Sequence, residues 1–222
     1  MSLPSSEGPV GFDSNAYGER DAGLSPDLVR QATLELVRSR VKGRILDAGS
    51  GSGSWLRLLL DHCPGVTHVT SVDLVDSGAS KIRNVDFHLR DLSRDSLPAE
   101  AASTDWVFAI EVLEHLANPR AFLGEVRRIL KPGGRFFITT PNNDSLTSRL
   151  SLLFRGYYPA FCDHDYKGSG HITPILKIDL ERMADEAGFS RVEFAFPLDG
   201  RIPKSDVPWQ RFFPRLRGSL WS

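Results

Sequence analysis

Nearly continuous apolar runs alternate along the chain with stretches whose apolar residues recur every three or four positions. The runs at 44–48, 68–75, 85–92, 106–112, 135–140 and 191–196 predict six strands. The run at 106–112 is apolar at every position except Glu111, as expected for a strand covered on both faces. A helical period follows Pro26 to about residue 40, with Leu28, Ala32, Leu36 and Val37 on one face. A second helix turns Trp55, Leu56, Leu59, Leu60 and Cys63 inward. A third begins at Asn118-Pro119, a cap followed by a proline at the first helical position, and carries Phe122, Val126, Ile129 and Leu130. The last carries Leu176, Leu180, Met183, Ala184 and Ala187 and stops at Gly188. Strands alternating with helices predict an α/β fold: a doubly wound, mostly parallel sheet with helices on both faces and right-handed crossovers.

Two regions lack a clear period. Residues 1–23 are rich in Ser, Gly, Pro and Asp and read as a loose arm. The stretch 141–172 is irregular and reads as an insertion in a domain spanning 24–198, although 146–158 can form a short amphipathic helix. Residues 199–222 form a C-terminal segment interrupted by Pro203, Pro208 and Pro214. It is read either as an edge strand at 207–213 or as a basic aromatic tail.

Composition narrows the class of protein. The 222 residues suffice for one α/β domain with a real core. A net charge of −1 gives no global attraction to nucleic acid or an acidic membrane. Cys63 and Cys162 cannot make a disulfide framework, and Cys63 sits in an apolar helical pattern. No run approaches the roughly 18 apolar residues of a membrane span. The first residues lack the apolar stretch of a signal peptide, so a cytoplasmic protein is expected.

The candidate chemistry starts at the end of the first strand, where Asp47-x-Gly49-x-Gly51-x-Gly53 enters a helix. Its spacing differs from the dinucleotide fingerprint G-x-G-x-x-G, and it lacks the Gly-Lys-Ser/Thr of a P-loop. In a doubly wound sheet, ligands bind beyond the carboxyl ends of the strands, so this turn is the expected site. Val72-Asp73-Leu74 ends the second strand, Arg90-Asp91-Leu92 the third, and Ile110-Glu111-Val112-Leu113-Glu114-His115-Leu116 the fourth. Leu130-Lys131-Pro132-Gly133-Gly134 precedes the fifth.

These five motifs, in this order from Arg44 to Phe189, resemble those of class I S-adenosylmethionine-dependent methyltransferases, a small-molecule subgroup with EVLEHL and LKPGG motifs. The resemblance implies a Rossmann-like, seven-stranded sheet; here the last strand is left open. It implies S-adenosyl-L-methionine as cofactor and S-adenosyl-L-homocysteine as product. It places Asp47, Gly49, Ser50 and Gly51 at the methionine part of the cofactor. Asp73, with Leu74, would hold the ribose hydroxyls, Asp91 and Leu92 the adenine, and Ile110 and Glu111 the end of the fourth strand beside it. No residue is read as a metal ligand.

Methyl transfer is an in-line displacement, and a general base is needed only when the acceptor must lose a proton. His115, His164, His171 and Asp163 are the candidates. The two histidines at 164 and 171 lie in the insertion that covers the acceptor pocket in this fold.

The expected activity is methyl transfer to a small-molecule acceptor, at oxygen, with a sugar-containing or lipid-linked intermediate in view. The alternatives are a non-catalytic or regulatory S-adenosylmethionine-binding protein and a nicotinamide-dependent oxidoreductase. The glycine spacing and the absence of a Tyr-x-x-x-Lys pair argue against the last. No DNA partner is expected, because Ile-Glu-Val-Leu stands where amino-methylating DNA enzymes carry Asn/Asp-Pro-Pro-aromatic. RNA is disfavoured by the lack of a dense basic patch outside the tail. Weak membrane-surface contact would come from the tail's Arg211, Arg215 and Arg217 among Trp209, Phe212, Phe213 and Trp221. The oligomeric state is left open.

Overall fold

Asp47, at the end of the first strand, stands between two hydrophobic cores packed on opposite faces of one sheet. The structure is a computed structural model and describes residues 27–196. The sheet is built from β1 (Gly43–Ala48), β2 (Val66–Asp73), β3 (Val85–Leu89), β4 (Thr104–Ile110) and β5 (Leu130–Thr139). Its order is β3-β2-β1-β4-β5, and all four pairings are parallel. The α-helices are α1 (Asp27–Val37), α2 (Ser54–His62), α3 (Pro119–Ile129), α4 (Leu146–Arg155), α5 (Asp163–Gly168) and α6 (Lys177–Glu186).

The period of two along each strand explains why the runs looked continuous. On β1, Leu46 and Ala48 enter one core and Ile45 the other. On β4, Val107 and Ala109 enter the first core with Phe122, Val126 and Ile129 of α3. Trp106, Phe108 and Ile110 enter the second with Trp55, Leu56 and Leu59 of α2. Phe108 stacks on Trp106 at 5.7 Å between centroids and meets Trp55 at 5.3 Å. At Asn118 the side chain accepts the Ala121 N–H at 3.1 Å, which caps α3 as its sequence predicts.

The fold class holds, with corrections to individual elements. β3 ends at Leu89, not residue 92, because Asp91 turns the chain: its carboxylate accepts the Ser93 N–H at 2.9 Å. β5 begins at Leu130, so Lys131-Pro132-Gly133-Gly134 lies within the strand, across a register shift against β4, instead of preceding it. Residues 191–196 form no strand among the described residues, and the described sheet has five strands. On α1 the buried residues are Thr33, Leu34 and Val37, whereas Leu28 is 55% and Leu36 38% exposed. The α1 helix meets the sheet along the 33-34-37 stripe, one step round from the face expected. The arm at 1–23, the candidate strand at 207–213 and the basic aromatic tail lie outside the described residues.

The α4 helix forms as expected, with its polar side turned inward. Ser148 and Ser151 face the protein: Ser148 Oγ donates to Asn142 O at 2.9 Å and Ser151 Oγ to Tyr157 O at 2.9 Å. Leu153 and Phe154 stand 73% and 78% exposed.

Candidate active site

The carboxyl ends of β1, β2 and β4 converge on the glycine turn. Gly49, Gly51 and Gly53 all have left-handed φ, at 74°, 51° and 76°. Glycine is demanded at 49 by the protein itself, because a Cβ there would stand 2.5 Å from Val112. At 53 it would run into Ile82. Two of the three glycines thus answer first to packing and backbone conformation. The turn is tied to β2 by the N–H groups of Gly49 and Ser50, which donate to Val72 O at 2.8 and 3.2 Å.

Asp47 is 1% exposed and its Oδ2 has no hydrogen-bond partner among the described residues. Burial, and then the charge of Asp73, push its carboxyl up to about 8. Ser50 Oγ is likewise buried and unpaired. Asp73 is half-buried. Its Oδ2 accepts the Gly51 N–H at 2.7 Å and its Oδ1 the Val75 N–H at 3.2 Å. Desolvation raises its pKa against the lowering effect of these bonds. A carboxylate has about four lone-pair sites, so the Asp73 carboxylate retains acceptor capacity beyond these backbone donors.

These residues fit S-adenosylmethionine. A buried carboxylate oxygen without a donor suits the ligand's ammonium, and the remaining acceptor sites of Asp73 suit a diol. Leu74 is 38% exposed at the same strand end. The fit is weaker at Asp91, whose carboxylate is engaged locally by Ser93 and, at 3.5 Å, by Arg94; Leu92 beside it is half-buried. Ile110 packs its side chain into the second core.

A second polar cluster lies beyond β4. Glu111 has φ 53°, a conformation that β-branched and most other side chains avoid. Its N–H is held by Thr139, through O at 3.2 Å and Oγ1 at 3.0 Å. Glu111 also lines a cleft of about 640 Å³ that includes Thr139, Thr140 and Asn142 and runs along β5. Glu114 is fully buried. Burial first, then the charge of Glu111, raise its pKa well above the ordinary carboxylate range. Glu111 is raised by burial as well, an effect that Thr139 and the charge of His171 offset in part.

The structure brings two of the three candidate histidines together. The His115 and His171 rings lie 4.7 Å apart, edge to face. Burial, and then the proximity of His171, lower the His115 pKa to about 4. His171 Nδ1 bonds Ala160 O at 2.6 Å. His164 and Asp163 stand exposed on α5 and are not drawn into this cluster. Glu114 escaped the sequence reading. Its signal was an acid at helical spacing from Glu111 and next to His115, with Val112, Leu113 and Leu116 around it.

Comparison with known proteins follows the same lines. A family model described as "Methyltransferase domain" matches residues 20–193. The chain is 27% identical over 177 residues to a ubiquinone biosynthesis O-methyltransferase of Xanthomonas axonopodis pv. citri, covering 74% of this chain and 71% of that protein. The fold resembles a Bacillus halodurans protein described as a putative methyltransferase, with TM-score 0.59 and 21% identity over 73% of this chain and 69% of that one. It also resembles phosphoethanolamine N-methyltransferase 2 of Haemonchus contortus, solved with S-adenosylhomocysteine. There the TM-score is 0.55 and the identity 20%, over 81% of this chain and 42% of that one.

Proposed function

From the premise that the chain belongs to the methyltransferase-domain family and is an S-adenosylmethionine-dependent methyltransferase, we propose that it methylates an oxygen of a small, amphipathic acceptor. S-adenosylmethionine supplies an electrophilic methyl group on a sulfonium centre. Asp47 holds the ammonium of that molecule, Asp73 its ribose hydroxyls, and the turn at 49–53 lies along its methionine part. Asp91 and Leu92 flank the adenine.

The observation that carries the oxygen reading is Glu111, which lines the cleft in a strained conformation and has His171 close enough to lower its pKa by charge. A hydroxyl must lose its proton on methylation, so a half-buried carboxylate at the acceptor end has a task there. Glu111 takes that proton. His171, held by Ala160, orients the acceptor oxygen, and the segment 141–172 covers the pocket. The name of the Xanthomonas relative agrees with transfer to oxygen. The outward apolar face of α4, with Leu150, Leu152, Leu153 and Phe154 exposed, supports an acceptor with an apolar part, such as a lipid-linked intermediate. Among the described residues no helix is long and apolar enough to cross a membrane.

The test is a panel of phenols, sugar derivatives and lipid-linked hydroxyl compounds incubated with methyl-tritiated S-adenosylmethionine. Label recovered as a methyl ether supports the reading. Label recovered only on nitrogen or carbon overturns it.

A further inference from the structure

We propose that Trp55 and Ser71 are positioning residues for Asp47, acting through one ordered water held at the carboxyl end of β1, between β2 and α2. The first argument is burial. Asp47 is 1%, Ser71 0%, Trp55 4% and Ser50 5% exposed. Asp47 Oδ2, Ser71 Oγ, Trp55 Nε1 and Ser50 Oγ are each enclosed without a hydrogen-bond partner among the described residues. One such group is costly, and a buried indole N–H in particular nearly always finds an acceptor. Four of them at one end of the sheet call for a shared partner.

Register supplies the second argument. Asp47 pairs with Ser71 of β2 on one side and with Phe108 of β4 on the other. Paired positions on neighbouring strands, about 4.8 Å apart, present their side chains to the same face. That face is the one of the second core, where Phe108 meets Trp55 with ring centroids 5.3 Å apart. Asp47 and Ser71 therefore stand side by side on the face that the first turn of α2, carrying Trp55, packs against. Ser50 belongs to the turn that leads into α2, and its N–H donates to Val72 O, next to Ser71, at 3.2 Å.

The chemistry of the four groups supplies the third. An indole N–H only donates, an ionised carboxylate only accepts, and a hydroxyl does both. A water that accepts from Trp55 Nε1 and Ser71 Oγ and donates to Asp47 Oδ2 and Ser50 Oγ satisfies them all. Buried waters are retained in polar sites of this kind, with about two to four hydrogen bonds each.

The role rests on the proposed contact of Asp47 with the cofactor's ammonium. Burial is the main obstacle to ionising Asp47, and the charge of Asp73 is the second. A hydrogen bond donated to the ionised carboxylate favours that form. The water supplies such a bond, and through it Trp55 and Ser71 hold the carboxylate in one orientation. A carboxylate has about four lone-pair sites, so the site given to the water leaves others for the ammonium. Trp55 and Ser71 then set the cofactor's affinity from behind the acid.

Crystals of the full-length protein, ligand-free and with S-adenosylhomocysteine, test the site. Density for one water within hydrogen-bond distance of Asp47, Trp55 and Ser71 is expected, and maps without it in both crystals overturn the proposal. Ser71→Ala and Trp55→Phe are titrated calorimetrically with S-adenosylhomocysteine and with 5′-methylthioadenosine, which keeps the nucleoside and the sulfur but has no ammonium. Each variant should bind S-adenosylhomocysteine about three- to tenfold more weakly, as the loss of one hydrogen bond implies. Each should bind 5′-methylthioadenosine within about twofold of wild type. Equal weakening of both ligands marks a merely structural role and overturns the proposal. Ser71→Ala should also lower Tm, and a higher Tm would show that the hydroxyl had no partner to lose. If Asp47→Asn loses S-adenosylhomocysteine affinity while Ser71→Ala and Trp55→Phe keep it, the proposal alone falls. Wild-type affinity in Asp47→Asn would instead overturn the ammonium contact itself, and the role of Trp55 and Ser71 with it.

Discussion

The Asp73 carboxylate receives the Gly51 N–H at 2.7 Å and so joins the tip of β2 to the middle of the glycine turn. The residue expected to hold the cofactor's sugar also holds the turn that is expected to lie along its methionine part. Asp73→Ala removes both contacts. The loss of one net charged hydrogen bond to the ligand costs about 1.5–3 kcal/mol, so S-adenosylhomocysteine should bind about 10- to 100-fold more weakly. Asp73→Asn keeps an acceptor for Gly51 and should lose less. Wild-type affinity in Asp73→Ala, measured by calorimetry, would remove the sugar-binding role.

Asp47 makes the protein's behaviour depend on pH. Its folded pKa of about 8 lies above the ordinary 3.8, so the folded state binds the extra proton across that window. The resulting stability is complete below about 3.8 and is lost as pH rises to about 8. A cationic ligand favours the ionised form instead. Binding of S-adenosylhomocysteine should therefore release close to one proton at pH 6.5 and tighten as pH rises toward 8. Calorimetry in two buffers of different ionisation enthalpy measures that proton. Asp47→Asn should melt higher than wild type at pH 8 without ligand, yet bind the cofactor poorly. A proton count near zero in the wild type would contradict this role.

Gly49→Ala forces a side chain into a left-handed position against Val112. Strain and overpacking together should cost about 2 kcal/mol or more, lowering Tm by at least ~4 °C in a chain of this length. Thermal melts followed by circular dichroism check this. An unchanged Tm would show that the turn relaxes freely.

The legible parts of the fold are those where the two cores demand apolar residues on both sides of a strand. β1 and β4 are such strands, and their neighbours in the sequence fix the helices that cover them. Residues 191–196 carry the same alternating pattern, but a pattern names faces and not a partner, and no ladder forms there among the described residues. The face of α1 was misjudged because Thr33 takes a buried place that a hydrophobicity count gives to Leu36. In α4 the serines face inward because Asn142 O and Tyr157 O accept from them, a tertiary fact that spacing cannot reveal. At the site, the acids at strand ends were legible from their positions. The burial of Glu114 and the meeting of His115 with His171 were not, because they depend on how residues 170–173 return to β4's end.

His171→Ala should slow methyl transfer while leaving cofactor affinity close to wild type. The side chain packs beside His115 and Phe161, and not at the glycine turn, in keeping with the acceptor-side role proposed for it. Single-turnover rates and calorimetric affinities on the same preparation separate the two effects. An equal loss of both would remove the acceptor-side role.

The most direct measurement is calorimetric titration of the wild-type protein with S-adenosylhomocysteine, with NAD⁺ as the control. One site of about micromolar Kd, or roughly −8 kcal/mol, is expected for S-adenosylhomocysteine, with no heat from NAD⁺. Silence up to millimolar S-adenosylhomocysteine, or saturable binding of NAD⁺ in its place, would contradict the assignment of Asp47, the glycine turn and Asp73 to that cofactor.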